Sequence, residues 1–258
     1  MRKGRFKEKV VIVSGGGTGI GKACAMAFAD EGAKVVIAAR REAPLQEVVK
    51  VIEARGGVAS LMKTDITKSA QVRNLVEKTV TLHGKVDVLV ANAGVGIYAP
   101  ITESSDKDVD KIIDINVKGT FYQLREAAKQ MLKQGYGSIV VTSSISGLFG
   151  DVDSTLYCCS KGAVSNLVRA LSQELAAKNI RVNAVCPGSI GGEGMCADYI
   201  EDSEDPEEFL RQENEEVPMK RIGNLHEVAA VALFLASDDA SYVTGANYLC
   251  DGGMAAGR

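Results

Sequence analysis

The chain has 258 residues, a length that fits one large α/β domain with a complete hydrophobic core. With 46% hydrophobic residues, 24% charged residues and a net charge of −3, it has no basic stripe that would suggest nucleic acid as a partner. Its apolar runs are too short to span a bilayer, and its basic amino-terminal segment lacks the apolar stretch of a signal peptide. The six cysteines show no metal-binding spacing. We therefore expect a cytoplasmic protein with reduced thiols, no metal and no membrane contact.

Short β-branched runs alternate with longer amphipathic stretches along the chain. Strands are predicted at Lys9–Val13, Lys34–Ala38, Val58–Leu61, Val86–Ala91, Ser138–Thr142, Arg181–Cys186 and Asn247–Cys250. Helices are predicted at Ala23–Glu31, Leu45–Arg55, Ser69–Leu82, Asp106–Gln134, Tyr157 to about Lys178, and Glu227–Ala236. Strands this apolar are expected where helices cover both faces of a sheet. The pattern predicts one α/β domain over residues 1–258, with a single Rossmann-like, doubly wound parallel sheet and helices on both faces.

A glycine-rich loop follows the first predicted strand and opens the first helix. Five of the seven residues from Gly15 to Gly21 are glycines, in a GxxxGxG spacing, because Ile20 occupies the place of a glycine in GxGxxG. Glycines permit a tight turn and close backbone approach, and a helix N-terminus offers free N–H groups to a pyrophosphate. The context predicts a dinucleotide-binding loop. The alternative, an ordinary strand-to-helix turn, seldom needs so many glycines.

A tyrosine and a lysine lie four residues apart in the predicted helix that starts near Tyr157. Tyr157 and Lys161 share one helix face, so the ammonium is expected to favour the phenolate and lower the tyrosine pKa. Ser144 lies thirteen residues before Tyr157, just past a strand end, where open α/β sheets place their sites. Ser143 and Ser146 are alternatives for this serine. The group predicts acid/base chemistry on an alcohol or a carbonyl.

Together these motifs resemble those of the short-chain dehydrogenase/reductase family over essentially the whole chain. The matching residues are Gly15, Gly19, Gly21, Asp65, Ile66, Asn92, Ala93, Gly94, Asn116, Ser144, Tyr157, Lys161, Pro187, Gly188, Asp251, Gly252 and Gly253. The resemblance implies a nicotinamide-dependent oxidoreductase that interconverts a secondary alcohol and a ketone. It implies a catalytic tetrad of Asn116, Ser144, Tyr157 and Lys161, and the spacing of Ser144 to the tyrosine matches the family pattern.

Each member of the tetrad has an expected role. Tyr157 would act as the general acid or base, and Ser144 would hydrogen-bond the same substrate oxygen. The resemblance implies that Lys161 also holds the ribose hydroxyls and that Asn116 holds a water linked to Lys161; a locally hydrogen-bonded asparagine is the alternative. The residues expected to contact the cofactor are Gly15, Gly17, Thr18, Gly19, Ile20, Gly21, Arg40, Arg41, Asp65, Ile66, Asn92, Ala93, Gly94, Tyr157, Lys161, Pro187, Gly188 and Ile190.

The residues after the second strand bear on the choice of nicotinamide. An acidic residue there would bind the adenosine ribose and repel a 2′-phosphate. Ala39 occupies that place and Arg40 and Arg41 follow it. A guanidinium pairs bidentately with phosphate and stacks on adenine, so the sequence predicts NADP(H). Two solvated arginines at a helix start would instead leave NAD(H) possible.

The segment 190–217 corresponds to the substrate lid of the family. Where family members often carry a threonine that touches the nicotinamide carboxamide, this chain has Gly192, and Ser189 or backbone N–H groups are candidate substitutes. The segment is rich in Asp and Glu, which indicates a solvated helical flap or weak repulsion of anionic substrates. The other expected pocket residues suit a steroid, an alicyclic ketone or a modest polyol; they are 95–98, 145–152, Met195 and Tyr199.

Two other functions stay open from the sequence. One is a 3-oxoacyl carrier-protein reductase, which the acidic lid disfavours because an acidic carrier protein usually docks on a basic face. The other is a catalytically silent NADP-binding regulator, which would have no need of the complete tetrad. By resemblance we also expect a homotetramer or homodimer, assembled through the helices that contain 119–134 and 157–178 and through the last strand.

Overall fold

The computed structural model describes residues 4–195, 203 and 205–257 of the chain. Its strands are β1 Val10–Ser14, β2 Lys34–Ala39, β3 Val58–Lys63, β4 Val88–Ala91, β5 Gly137–Thr142, β6 Ile180–Pro187, β7 Ile190–Gly191, β8 Gly223–Asn224 and β9 Asn247–Cys250. Its α-helices are α1 Gly19–Asp30, α2 Glu42–Ala54, α3 Ser69–His83, α4 Asp106–Ile112, α5 Thr120–Gln134, α6 Thr155–Leu175, α7 Pro206–Glu216 and α8 Leu225–Ala236. A π-helical segment, Ile113–Gly119, joins α4 to α5.

Seven strands form one parallel sheet in the order β3-β2-β1-β4-β5-β6-β9. In the register of the central strands, Val11 pairs with Val35 of β2 on one side and with Val88 of β4 on the other. After β1 the chain adds β2 and β3 on one side of β1, and then crosses to place β4 on the other side of β1. Such a reversal opens a crevice at the carboxyl ends of the strands. β7 and β8 form a separate parallel pair beyond the end of β6.

Helices cover both faces of this sheet, which confirms the predicted fold class. Side chains of successive strand residues point to opposite faces, so Val11 and Val13 pack on one side while Ile12 packs on the other. The first side is covered by α1, α2 and α8, and the second by α3, α5 and α6. Because strands and helices bury one another, the carboxyl edge of the sheet is held rigidly beneath the crevice.

Most predicted elements are present, with ends shifted by a few residues. β4 begins at Val88, not at Val86. Just before it, the buried carboxylate of Asp87 accepts a hydrogen bond from the Val10 N–H (2.7 Å), and the Asp87 N–H donates to the Val10 carbonyl (2.9 Å). The predicted helix Asp106–Gln134 is interrupted by the π-helical segment. The β7–β8 pair was not predicted, since two-residue strands leave no periodic pattern. Among the described residues, no helix combines the length and apolar character needed to cross a membrane.

Candidate active site

A cleft of about 680 Å³ runs along the carboxyl ends of the strands. At one end it is bordered by the residues after β2, and at the other by the start of α6 and by α7. Seventeen predicted cofactor residues and Ser144 line it, while Gly21 and Asn116 do not. The lining set is Gly15, Gly17, Thr18, Gly19, Ile20, Arg40, Arg41, Asp65, Ile66, Asn92, Ala93, Gly94, Ser144, Tyr157, Lys161, Pro187, Gly188 and Ile190, in which Tyr157 and Lys161 are shared with the tetrad.

The glycine-rich loop has the geometry expected for binding a pyrophosphate. Gly15 and Gly19 adopt left-handed φ values of 66° and 56°, which favour glycine. A side chain at Gly21 would collide with the Gly15 carbonyl, so this position lies beneath the loop and supports it. Thr18, at the N-cap of α1, makes no side-chain hydrogen bond to the first turn. The first N–H groups of α1 therefore remain available to an anion.

Two arginines stand at the far end of the cleft. β2 ends at Ala39, and Arg40 and Arg41 follow it with exposed side chains. Neither guanidinium forms an ion pair with any residue that the structure describes. Both guanidiniums therefore remain available to an anionic ligand at this end of the cleft.

Asn92 ties three strand ends together behind the cofactor side of the cleft. Its backbone N–H donates to the Ser14 hydroxyl (3.0 Å) and its amide Nδ2 donates to the Ser14 carbonyl (3.2 Å). Its Oδ1 accepts from the Thr142 hydroxyl (3.1 Å). These bonds join β1, β4 and β5 and fix the backbone of 92–94. A side chain at Gly94 would lie 3.6 Å from the Lys161 ammonium, so glycine keeps that space open for a cofactor.

Tyr157 and Lys161 face the cleft from the first turns of α6. Each is buried, with 7% and 5% of its surface exposed. The Lys161 ammonium donates to the Thr142 carbonyl (3.1 Å) and lies 5.7 Å from the centre of the Tyr157 ring. The helix therefore presents both side chains on one face, as their spacing predicts.

Three serines follow β5, and their partners distinguish them. The Ser143 hydroxyl shares a hydrogen bond with the buried hydroxyl of Ser165 on α6 (2.8 Å). The Ser146 hydroxyl donates to Oδ2 of Asp151 (2.7 Å). The Ser144 hydroxyl accepts from the Ser146 N–H (3.1 Å) and hydrogen-bonds the Tyr157 hydroxyl. Ser144 is thus the serine that the fold places beside the tyrosine.

Burial sets the protonation of the pair. It raises the pKa of Tyr157, although hydrogen bonds from the hydroxyls of Ser144 and Tyr98 act in the opposite direction. Burial also lowers the pKa of Lys161 to about 8. The sequence predicts a lowered tyrosine pKa, and the structure differs. The reason is that burial removes both side chains from water. The loss of hydration disfavours the phenolate of Tyr157 and the ammonium of Lys161. The tyrosine is therefore a protonated phenol at neutral pH.

Asn116 lies in the π-helical segment, behind the cleft. Its Oδ1 accepts from the Val95 N–H (2.9 Å), and its Nδ2 donates to the Val95 carbonyl (2.8 Å) and to the Ser160 hydroxyl (3.0 Å). Both amide hydrogens are used in these bonds, whose partners lie 21 and 44 residues away in the chain. Whether Asn116 also holds a water linked to Lys161 stays a prediction from resemblance.

Ser160 is a site residue that the sequence analysis missed. It is fully buried, accepts from Asn116 and donates to the Tyr157 carbonyl (2.8 Å). It thereby links the π-helical segment to the turn of α6 that carries the tyrosine. One signal was present in the sequence, since serine in a helix interior tends to hydrogen-bond a carbonyl of the preceding turn.

The comparisons with known proteins agree with this geometry. Residues 15–255 match the family model described as "Enoyl-(Acyl carrier protein) reductase". An uncharacterized oxidoreductase of Thermotoga maritima is 43% identical over 97% of this chain and 99% of its own length. The chain belongs to the short-chain dehydrogenase/reductase family. The 3-oxoacyl-[acyl-carrier-protein] reductase of the same organism is 38% identical over 97% of this chain and 99% of its own. The crystal structure of levodione reductase, 33% identical, superposes with a TM-score of 0.94 over 98% of this chain and all of that one.

Family membership makes the protein an oxidoreductase, and the family typically binds a nicotinamide cofactor. The described residues fit such a group through the open glycine loop, the free helix N-terminus and the space kept by Gly94. Among the same residues, no cluster of His, Cys, Asp or Glu is arranged to hold a metal ion.

The described part of the predicted lid, here called the flap, comprises residues 190–195, 203 and 205–217, and several of these residues line the cleft. Gly192 has a φ of 107°, and a side chain there would lie 3.1 Å from Leu225, so this member of the family has a backbone that disfavours threonine. The Glu193 carboxylate pairs with the Lys22 ammonium on α1 (2.6 Å). Ser189 lines the cleft. Its contact with the nicotinamide carboxamide stays a prediction. Tyr199 lies outside the described residues.

Proposed function

We propose that this protein is an NADP(H)-dependent ketoreductase that interconverts a small ketone and a secondary alcohol. The observation that supports it is the buried group formed by the hydroxyls of Ser144 and Tyr157 and the ammonium of Lys161, at one end of a cleft suited to a dinucleotide. When bound, the nicotinamide supplies or accepts the hydride. The protein's own residues bind the substrate oxygen and move its proton.

Tyr157 would deliver the proton to the carbonyl oxygen during reduction. Its raised pKa keeps the phenol protonated at neutral pH, which is the form a general acid needs. Ser144 is already hydrogen-bonded to the tyrosine hydroxyl, so a carbonyl oxygen near both hydroxyls would accept from each. Lys161, held by the Thr142 carbonyl, would stabilise the phenolate left behind and bind the ribose.

The preference for NADP(H) over NAD(H) rests on Arg40 and Arg41. They stand where the family's NAD-preferring members have an acidic residue, and neither has an ion-pair partner among the described residues. The 2′-phosphate would supply that partner.

A 3-oxoacyl carrier-protein reductase is the second candidate, because one relative of known name has that activity. The flap argues against it here. α7 has the sequence PEEFLRQENEE, with five Glu against Arg211, and has no buried residue. This surface would repel the acidic face of a carrier protein.

A homotetramer or homodimer also belongs to this proposal. β9 is the edge of the sheet and exposes Tyr248 and Leu249, and the exposed faces of α5 include Phe121 and Leu132. These apolar surfaces are compatible with the subunit contacts expected by resemblance. Size-exclusion chromatography with light scattering would give the oligomeric state.

Replacing the tyrosine tests the mechanism directly. We expect Tyr157→Phe to lower kcat for ketone reduction by about 10²- to 10⁴-fold, because the proton donor is lost. NADPH affinity, measured by nicotinamide fluorescence, should change little. Tyr242→Phe, at a fully exposed tyrosine, is the matched control. Unchanged turnover of Tyr157→Phe would refute the mechanism, and failure of the native protein to reduce any ketone would refute the function.

A further inference from the structure

Beyond Tyr157, the substrate end of the cleft is acidic. Asp151 lies there in the loop before α6, and Glu213 lies on α7 of the flap, four residues after Phe209 and on the same helix face. The only cations among the described lining residues are Lys161 and the two arginines at the adenosine end. An anionic group on a substrate would therefore be repelled at this end.

The Asp151 carboxylate is fixed relative to the reacting groups. Its Oδ2 accepts from the Ser146 hydroxyl (2.7 Å), and the Ser146 N–H donates to the hydroxyl of Ser144 (3.1 Å). Ser146, in the 3₁₀ turn Ile145–Gly147, thus connects the carboxylate to the serine at the tyrosine through two hydrogen bonds. Asp151 and Tyr157 also line the same cleft. Asp151 is only half-buried, so the cleft reaches it.

We propose that Asp151 accepts a hydrogen bond from a hydroxyl of the substrate, and that the enzyme prefers ketones with a hydroxyl group close to the carbonyl. This rests on the proposed ketone reduction. A carboxylate only accepts, so it selects a donor group on the substrate. Ser146, Ser154 and Ser189 also line the cleft. The hydroxyls of Ser146 and Ser154 donate to Asp151 and to the Val152 carbonyl, which leaves their oxygens as acceptors for a hydroxylated molecule.

A neutral hydroxyl fits this end better than an ammonium. The wall here also includes the apolar side chains of Val95, Met195 and Phe209. An ammonium has three donors to satisfy, and one oxygen of Asp151 is already shared with Ser146. Desolvating a full charge against apolar side chains costs more than desolvating a hydroxyl. In the reaction the carbonyl carbon receives a hydride from the reduced nicotinamide and its oxygen receives a proton from Tyr157, so the product is a diol.

A matched set of four-carbon substrates tests the proposal. The kcat/KM values of 2-butanone, 3-hydroxy-2-butanone, 3-amino-2-butanone and 2-oxobutanoate would be measured with the native protein and its preferred nicotinamide. We expect the hydroxyketone to exceed 2-butanone by at least about tenfold, since a hydrogen bond to a charged group contributes about 1.5–3 kcal/mol. The keto acid should be the poorest substrate.

Two substitutions then separate a hydrogen bond from a general charge effect. In Asp151→Ala the ratio of hydroxyketone to 2-butanone should fall at least about tenfold, mainly through KM. Asp151→Asn keeps an acceptor oxygen and should retain part of that ratio. Asp153→Asn, at an exposed aspartate in the same loop, is the matched control and should keep the native ratio. Nicotinamide binding by fluorescence would show that each variant is folded.

The outcomes distinguish this inference from the proposed function. No turnover of any ketone would refute the function itself. Turnover without hydroxyl preference, or a ratio unaffected in Asp151→Ala, would refute the inference alone. A preference for the aminoketone that disappears equally in both Asp151 variants would identify a cation site and would also overturn the proposal.

Discussion

The two sides of the cleft are built differently. The inner wall is formed by Ser144, Tyr157 and Lys161, with Asn116 behind it. Less than a tenth of each of these residues is exposed, and each side chain has a partner within the protein. On the rim, formed by Arg40, Arg41 and the flap, the arginines are exposed and α7 has no buried residue. The groups assigned to the chemistry are placed by burial, whereas the groups assigned to binding are left available to a ligand.

Only the inner wall carries an energetic cost, namely the loss of hydration of its buried polar groups. Buried polar groups lose hydration, so the inner wall must satisfy them through bonds such as that from Lys161 to the Thr142 carbonyl. The lowered pKa of Lys161 indicates that this hydrogen bond only partly replaces the hydration energy that the ammonium loses. The rim bears no such cost, because water solvates it. Stability and activity should therefore conflict on the wall and be nearly independent on the rim.

Lys161→Met should give the largest effect. We expect kcat to fall by about 10²- to 10⁴-fold, because the phenolate loses its ammonium. The free energy of unfolding at pH 7 should rise by about 1–3 kcal/mol, since burial lowers the pKa of Lys161 to about 8 and the methionine carries no charge. Urea unfolding and NADPH consumption would be measured on the same samples.

The pH dependence of this difference follows from the same lowered pKa. Below pH 8 the lysine is protonated in both states and the native protein bears the full penalty. Between pH 8 and about 10.5 the unfolded chain binds more protons, so native stability rises with pH. The stability advantage of Lys161→Met should therefore shrink across that window. If Lys161→Met is no more stable than the native protein at pH 7, burial of the Lys161 ammonium does not destabilise the fold.

Arg40→Ala tests the rim at the adenosine end. If Arg40 binds a 2′-phosphate, the Kd for NADPH should rise by about ten- to a hundredfold, as expected for a charge-assisted hydrogen bond, while the Kd for NADH stays nearly constant. Stability should not change, because the side chain is exposed. The control is Arg55→Ala, an exposed arginine paired with Asp30 away from the cleft. Equal losses for both nicotinamides would contradict the assignment to NADP(H).

Gly192→Thr tests the flap. The φ of 107° strains any residue with a side chain by about 1–3 kcal/mol, and Leu225 lies 3.1 Å from the added Cβ. We expect weaker cofactor binding rather than the gain that a family-like threonine would suggest. Gly56→Thr has a similar φ of 80° with open space around it, so it should lose stability without affecting the Kd. Tighter NADPH binding by Gly192→Thr would show that the flap adopts the family's usual backbone.

The same contrast explains what could be predicted from the sequence. Local patterns predicted the seven strands of the main sheet, the glycine loop and the shared helix face of Tyr157 and Lys161, because each depends on neighbours in the chain. The π-helical turn at Asn116 and its bond to Ser160 depend on contacts 44 residues apart, and no local signal specifies them. The tyrosine pKa was predicted in the wrong direction because spacing reveals a neighbouring charge but not the depth of burial. The link from Ser146 to Asp151 required the folded loop.

Two glycines at the α6 end of the wall should give the smallest effects, with opposite signs. Gly162 lies inside α6, and an added Cβ would come no closer than 3.8 Å to the Gly147 carbonyl, so Gly162→Ala should stabilise the protein by about 0.5–1 kcal/mol. An added Cβ at Gly147 would come within 2.7 Å of the Lys161 carbonyl and the Ser165 hydroxyl, so Gly147→Ala should destabilise it and disturb turnover. Urea unfolding of both variants would measure this. If both substitutions change the free energy of unfolding equally, α6 and the 3₁₀ turn can move apart to admit a methyl group at Gly147.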